Sequence, residues 1–327
     1  MAAFLVRRIT AALLLVFVLV TVLFFLLRLA PGRPVDILAD PQLPLEQRQR
    51  LIALYGLDQP LPVQYGRWLS SIVLRGDWGT SFSHGRPVTR VLGEALPNTA
   101  LLALTAFSLE YVLALGLGVW AARRRESLFD HGVRAVSMFL FAVPTFWLAL
   151  MALLLFAFVI PVLPPSHMYS PGIAVLPFGE RWPDLLWHLV LPASVLALGA
   201  FGGTLRVVRA SVLEVLGQDY IRTARAKGLP ERRVLYVHAL RNAAVPIVQM
   251  AGLTLPLLLN GSLVIEVIFS WPGLGQVMFQ AVSNADYPLV LGGTALTGLL
   301  VVGGSLAADL AHAALDPRVR DRQVRHG

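Results

Sequence analysis

The stretch EVLGQDYIRTARAKGLPERRVLYVHALRNAAVP (Glu214–Pro246) lies between two long apolar segments and carries six of the 27 cationic residues: Arg222, Arg225, Lys227, Arg232, Arg233 and Arg241. Its first half reads as a short helix over Asp219–Lys227. Asp219 can cap the N-terminus, Arg225 and Lys227 suit the negative C-terminal end, and Gly228 can adopt the left-handed cap. Nine residues are too few for an isolated helix, which needs about 12–15, so packing must hold it. Tyr220, Thr223, Ala224 and Lys227 share one face, mostly of small side chains, on which a partner can approach closely. Pro230 then opens a second helix that runs towards the next apolar segment. Such a basic, kinked connection is either an ordinary loop whose arginines set topology and touch anionic lipid, or a docking surface whose movement tilts the helix that follows.

Composition fixes the setting. Of 327 residues 56% are hydrophobic and only 14% charged, against about 25% charged in soluble domains. Several uncharged runs approach the ~18 residues that cross a bilayer as helix. The chain is therefore read as an all-α integral membrane protein. The net charge of +8 is not a nucleic-acid footprint, because the cations cluster beside particular apolar runs and no basic face with interleaved aromatics appears. Zero cysteines exclude disulfides, thiolate metal sites and thiol catalysis.

Six spans are expected, near residues 9–27, 96–122, 133–160, 187–205, 243–269 and 287–310. The first has neither the short apolar core nor the cleavage site of a signal peptide. Eighteen of the 27 cations fall in the segments this topology puts inside, which places both termini in the cytoplasm. The division that follows is 1–30, the N-terminus and first span; 31–95, an extracytoplasmic loop; 96–312, a five-helix core containing the basic connection 211–242; and 313–327, a cytoplasmic tail. Within the loop, Leu45–Tyr55 and Val63–Leu74 are patterned as short amphipathic helices.

The absences matter as much. A P-loop needs Lys followed by Ser or Thr, yet Lys227, the one lysine, precedes Gly228. No H-E-x-x-H or G-x-S-x-G pattern occurs, and the seven histidines show no ligand spacing. Catalysis and a bound metal are not expected. Three acids, Glu110, Glu266 and Asp309, lie in or near spans, where a charge is costly and marks function by default; hydration or pairing near a membrane face is the plainer reading for the last two. With Pro256, Asn260 and Glu266, the fifth span is either a cavity-lining helix or one with a proline kink satisfied by its neighbours. Gly116, Gly118, Gly292, Gly293, Gly303 and Gly304 are positioned for close helix packing.

At RTARAKGLPERRVLYVHALRNAAVPIV (residues 222–248) the sequence resembles the ATPase-coupling signature of ABC importer permeases of the dipeptide/oligopeptide/nickel group. Gly228 stands at the signature glycine and Ala224 at the second alanine of the E-A-A triplet. Arg222 and Thr223 depart from the first two triplet positions, as in the oligopeptide subgroup. YGLDQPLPVQYGRWL (55–69), GDWGTSFSHGRPV (76–88), LPNTALLALTA (96–106), VPTFW (143–147), EVIFSWPGLG (266–275) and DPRVR (316–320) are similar, in order, to the first, B-type permease of such systems.

The resemblance implies a type I ABC importer permease fold of six helices with a long extracytoplasmic loop after the first. It implies a bacterial inner-membrane heterodimer with a homologous second permease, an extracytoplasmic binding protein, and two cytoplasmic ATPases that hold the ATP and magnesium. They would dock on Asp219–Leu229, the segment Asp219, Tyr220, Arg222, Thr223, Ala224, Arg225, Ala226, Lys227, Gly228 and Leu229. Di- or oligopeptides are the expected cargo, with nickel or glutathione as alternatives on the same fold. An ion-gradient-driven transporter is the alternative from another class. Glu110, Asn260 and Glu266 are the candidates for the translocation path.

Overall fold

In hydrocarbon every backbone N–H and C=O must be satisfied within its own segment, so long apolar runs fold as helices. The computed structural model describes residues 2–29, 46, 49 and 58–315, without the side chains at 2–5, 7, 8, 12, 29, 255–257, 259–261 and 307–315. The helix expected at Leu45–Tyr55 and the tail beyond 315 therefore lie outside it, but for residues 46 and 49. The helices are α1 (Ala2–Leu29), α2 (Leu61–Arg75), α3 (Val88–Arg123), α4 (Leu128–Ala142), α5 (Thr145–Leu153), α6 (Phe178–Leu216), α7 (Asp219–Ala226), α8 (Leu240–Ile268), α9 (Leu274–Ser283) and α10 (Tyr287–Leu315).

Among the described residues, four helices are long and apolar enough to cross a membrane: Ile9–Arg28, Val88–Arg123, Phe178–Leu216 and Tyr287–Leu306. The α4–α5 pair, taken as one span, makes a fifth; the stretch expected to form the remaining span is helical as α8, 29 residues long. The spans differ from their sequence outlines in three ways. The third is not continuous: α4 and α5, with its extension to Val159, meet at a bend of 101°. Pro144 has no N–H to donate and drives Val143 out of the helical region, to φ −80° and ψ 128°. The second begins at Val88, inside the segment assigned to the outer loop, and the fourth is 39 residues long, about 58 Å at 1.5 Å per residue. That exceeds the ~30 Å hydrocarbon core, so α6 is longer than a single crossing needs. Finally, WPGLG leads into α9, a helix too short to register as a span.

The chain forms two compact units. The first comprises Ala100–Trp271 with the described residues from Gly303 onward. One of its cores joins Leu102, Ala103 and Ala106 of α3 to Leu189 and Leu196 of α6 and to Ile265, Phe269 and Trp271. A second joins Tyr111 and Ala114 to Phe201, Leu205 and Val208, and to Ala243 and Ile247 of α8. Lipid tails are as apolar as these side chains, so close fit rather than expulsion of water holds them together. The helix backbones come closest at Gly202 of α6, where a Cβ would lie 2.3 Å from the Ser137 carbonyl oxygen of α4; any larger residue would push the two helices apart. Gly118, Gly292 and Gly293 are likewise crowded, whereas a Cβ on Gly116 or Gly303 would have no neighbour within 4 Å among the described residues.

The second unit comprises the described residues of Ala2–Thr99 with Pro272–Val302. Val88, Val91 and Leu92 pack on Leu274, Leu289 and Val290, while Phe24 of α1 meets Tyr65 and Trp68 of α2, each at a ring separation of 5.3 Å. Asp286 is fully buried and accepts hydrogen bonds from the Ser81 hydroxyl at 2.6 Å, the Ser83 hydroxyl at 2.7 Å and the Ser83 N–H at 3.0 Å. Burial pushes its carboxyl upward, but the hydrogen bonds outweigh this and hold it below the usual carboxylate range.

Candidate coupling site

α6 ends at Leu216 and the chain turns at Gln218, in extended conformation, into the eight residues of α7. Packing holds α7, as its length requires: Ile221 is fully buried and Ala224 nearly so, in a cluster with Val234 and Ala239 bordered by Val215, Leu216 and Leu229. This corrects the face assigned from sequence. Ala224 points into the protein, while Asp219, Tyr220, Arg222, Thr223, Arg225, Ala226 and Lys227 are exposed. Helical spacing alone groups Ala224 with Tyr220 and Thr223, but Ile221 was the stronger signal, since an isoleucine one turn from Ala224 defines the buried side. Asp219 does not cap either; Gln218 is the cap residue and makes no side-chain bond, while the Asp219 carboxylate accepts a long 3.4 Å contact from Arg222.

The C-terminal end behaves as its residues dictate. Gly228 has φ +75°, its N–H donates to the Arg225 carbonyl at 2.9 Å, and the Leu229 N–H donates to the Ala224 carbonyl at 3.3 Å. These two bonds close a Schellman motif, with Leu229 folded back onto the cluster that contains Ala224. Nothing lies within 4 Å of where a Cβ on Gly228 would stand, so its requirement is conformational. Pro230 precedes the next helix as its cap residue. Glu231–Arg233, a wider turn of i to i+5 bonding over Val234–Ala239, and α8 follow without a break to Ile268.

An unforeseen contact spans this elbow. Arg225 donates to both oxygens of Glu231, at 2.8 and 3.2 Å. The hydrogen bond from Arg225 holds the Glu231 carboxyl below its ordinary range and, reciprocally, raises the guanidinium. In sequence the two sit six residues apart across a glycine and a proline, a separation that no helical register pairs. Another arginine counted only towards topology, Arg209 of α6, makes a bidentate pair with Asp130 of α4, both bonds 2.6 Å. Asp130 is fully buried; its carboxylate also accepts from the Glu126 N–H, and its own N–H donates to Ser127 at the start of α4.

The intramembrane acids stand apart from the elbow and from each other. Glu110 is fully buried and accepts a hydrogen bond from the Thr204 hydroxyl, while its Oε2 has no partner among the described residues. It adjoins Tyr111, which packs with Ala243 and Ile247. Glu266, also fully buried, lies in sequence between Ile265 and Phe269, which belong to the other core. Some 19 residues of α8 separate Ile247 from Glu266, about 28 Å along the helix. Asn260 lies in α8, but its side chain is among those not described. The structure thus brings Asp219–Leu229 together as one folded element and leaves Glu110 and Glu266 as two separate buried carboxyls. Among the described residues no group of acids and histidines has the arrangement of a metal site.

Two family models match this chain. Residues 114–321 match the binding-protein-dependent transport system inner membrane component, and residues 1–103 match the N-terminal part of such membrane components. The oligopeptide transport system permease protein AppB of Bacillus subtilis is 38% identical over 98% of this chain and 99% of its own. The di/tripeptide transport system permease protein DppB of Pseudomonas aeruginosa is 36% identical over 99% of this chain and 100% of its own. Among solved structures, the inward-facing MetNI methionine ABC transporter superposes with a TM-score of 0.55 at 19% identity, covering 70% of this chain and 97% of that one; this likeness speaks for the fold alone. The chain belongs to the family of binding-protein-dependent transport system inner membrane components, the permease subunits of ABC importers.

Proposed function

We propose that this chain forms one half of the pore of an ATP-driven importer of di- or oligopeptides, and that α7 is where ATPase movement enters it. As a permease of this family it is a non-catalytic, multi-pass inner-membrane protein that works with ATPase subunits, a second permease and a substrate-binding protein. A heterodimeric pairing, two ATPases that alone hold ATP and magnesium, and cytoplasmic termini complete the reading. The peptide cargo is supported by the relatives, which are named for oligopeptide and di/tripeptide transport.

The observation that carries the coupling role is the continuity from α7 to α8. α7 presents an exposed face of Tyr220, Thr223, Ala226 and Lys227, is clamped from behind by Ile221 and Ala224, and turns through Gly228 into a helix that runs unbroken to Ile268. A push on that face is passed through the clamp to Val234 and Ala239 and tilts α8 as a rod. Glu110, Asn260 and Glu266 are assigned to the translocation path; Glu110 and Glu266 are enclosed by protein rather than lipid, and the tilt is what would open them to cargo.

Two measurements test this. Proteoliposomes holding the whole complex should take up labelled peptide on addition of ATP with no ion gradient, and uptake that needs a proton or sodium gradient instead would overturn the reading; nickel or glutathione uptake in place of peptide would overturn the cargo alone. Ala226→Cys and Thr223→Cys should crosslink to an ATPase subunit, whereas Ala224→Cys should stay unreactive until α7 is dislodged. Equal reactivity at all three positions would rule out the packed orientation of α7.

A further inference from the structure

Between α4 and α6 a cavity of about 590 Å³ is lined by His131, Arg134, Ser137, Met138, Arg206 and Arg209. Its cations are unequally compensated. Arg209 is neutralised by Asp130 through both carboxylate oxygens, and His131 lies 3.8 Å from Glu126. Arg134 stands one turn beyond Asp130 and acts on its charge from a distance, but the Asp130 oxygens are engaged by Arg209, and Arg134 forms no direct ion pair among the described residues. Arg206 is stacked 4.3 Å from the centre of the Phe141 ring and donates through Nε to the Gly202 carbonyl. Its terminal N–H groups have no acceptor among the described residues. Stacking fixes the plane of that guanidinium, which lowers the entropy lost when it binds an oxyanion.

Depth and surroundings say which oxyanion. Arg134 is six residues into α4, about 9 Å from its start, and on its own side of that helix Met138 and Phe141, one and two turns on, are each more than half exposed. Unpaired arginines bordering an exposed apolar strip on a spanning helix match the boundary between headgroups and acyl chains, where arginine reaches towards phosphate. A free phosphate would meet the charges and leave the strip unexplained. We propose that this cavity holds the phosphodiester of an anionic glycerophospholipid, with Arg134 and Arg206 on its phosphate oxygens and its acyl chains along the apolar strip. The bound lipid would bridge α4 and α6 beside the buried Asp130–Arg209 pair.

The test uses the purified transporter complex, incubated with equal amounts of phosphatidylglycerol and phosphatidylcholine of the same acyl chains, with retained lipids counted by native mass spectrometry. The unaltered complex should retain phosphatidylglycerol preferentially. Arg134→Gln and Arg206→Gln should each cut that preference about fivefold, Arg134→Lys should keep most of it, and Arg90→Gln, on an exposed stretch of α3, should not change it. Thermal melting of each variant separates loss of the site from loss of the fold. An unchanged preference in the Arg134→Gln/Arg206→Gln double variant overturns the proposal. So does displacement of the lipid by millimolar inorganic phosphate, which would mean that the site reads the anion alone. Crosslinking of Met138→Cys to the second permease in native membranes also overturns it, since protein would then cover the face.

Discussion

Two bidentate arginine–carboxylate pairs lie sixteen residues apart in the same stretch of chain, and they do opposite jobs. Arg209 and Asp130 meet at 2.6 Å with side-chain exposures of 17% and 0%. Arg225 and Glu231 meet at 2.8 and 3.2 Å with exposures of 43% and 39%. The chemistry is the same and the surroundings decide its weight. In a dry setting the pair's partners cannot be separated without stranding a charge, so it welds α4 to α6. In water the second pair is screened and readily exchanged for hydration, so it steers the elbow without locking it. An element that must transmit movement uses the weak form, and the frame against which it moves uses the strong one.

The sharpest way to break this contrast is Arg209→Ala. It strands the buried Asp130 carboxylate and should destabilise the frame by about 3–5 kcal/mol, seen as a lower melting temperature of the purified complex and a poor yield. Arg209→Lys should recover only part, because an ammonium cannot span both oxygens. A melting temperature unchanged in Arg209→Ala would reduce the pair to a surface contact like the other.

Next in size is Gly228. A side chain there meets no neighbour within 4 Å, so the cost lies in φ +75° and should be about 1–2 kcal/mol for an ordinary L-residue. Gly228→Ala should lower peptide uptake while the complex still assembles, because only the elbow is affected. Gly228→Asn, though larger, should transport better than Gly228→Ala, since asparagine tolerates the left-handed conformation. If uptake instead falls with side-chain size, the elbow is crowded by a partner and the conformational account fails.

Much of this was legible in the sequence, and the failures share one cause. Uncharged runs located the spans because hydrocarbon admits little else than helix, and Gly228 announced its left-handed turn because few other residues take it without strain. The break at Pro144 was also written there, as a proline after a valine, yet continuous hydropathy hid it. What could not be read were the pairings between distant segments: Asp130 with Arg209, 79 residues apart, and Ser81 with Asp286, 205 apart. Arginine is ambiguous by nature, since the same residue serves as topology signal, ion-pair partner or lipid ligand. Only burial separates these roles. The face of α7 was misassigned for a related reason, because an eight-residue helix gives periodicity too few turns to choose between a small-residue face and one containing Ile221.

The smallest effect is expected at the exposed pair, and its pH dependence tests the comparison from the other side. The Glu231 carboxyl is held below its ordinary value of 4.5, first by the hydrogen bond from Arg225. A carboxylate with a depressed folded-state value stabilises the fold fully above its ordinary value and loses that contribution as pH falls through the depressed one. Between pH 6 and 8 the pair is therefore fully formed, and Glu231→Gln should cost at most about 1 kcal/mol at such exposure. Raised salt should shrink the difference further, because the charges are within reach of screening ions. Melting curves of Glu231→Gln and the unaltered complex should thus converge as salt rises at pH 7, and again below pH 4.5 at low salt. A gap that persists in high salt would mean that Arg225 and Glu231 are shielded in the assembled transporter, with an ATPase seated over the elbow, and the weak pair would then have become a strong one on docking.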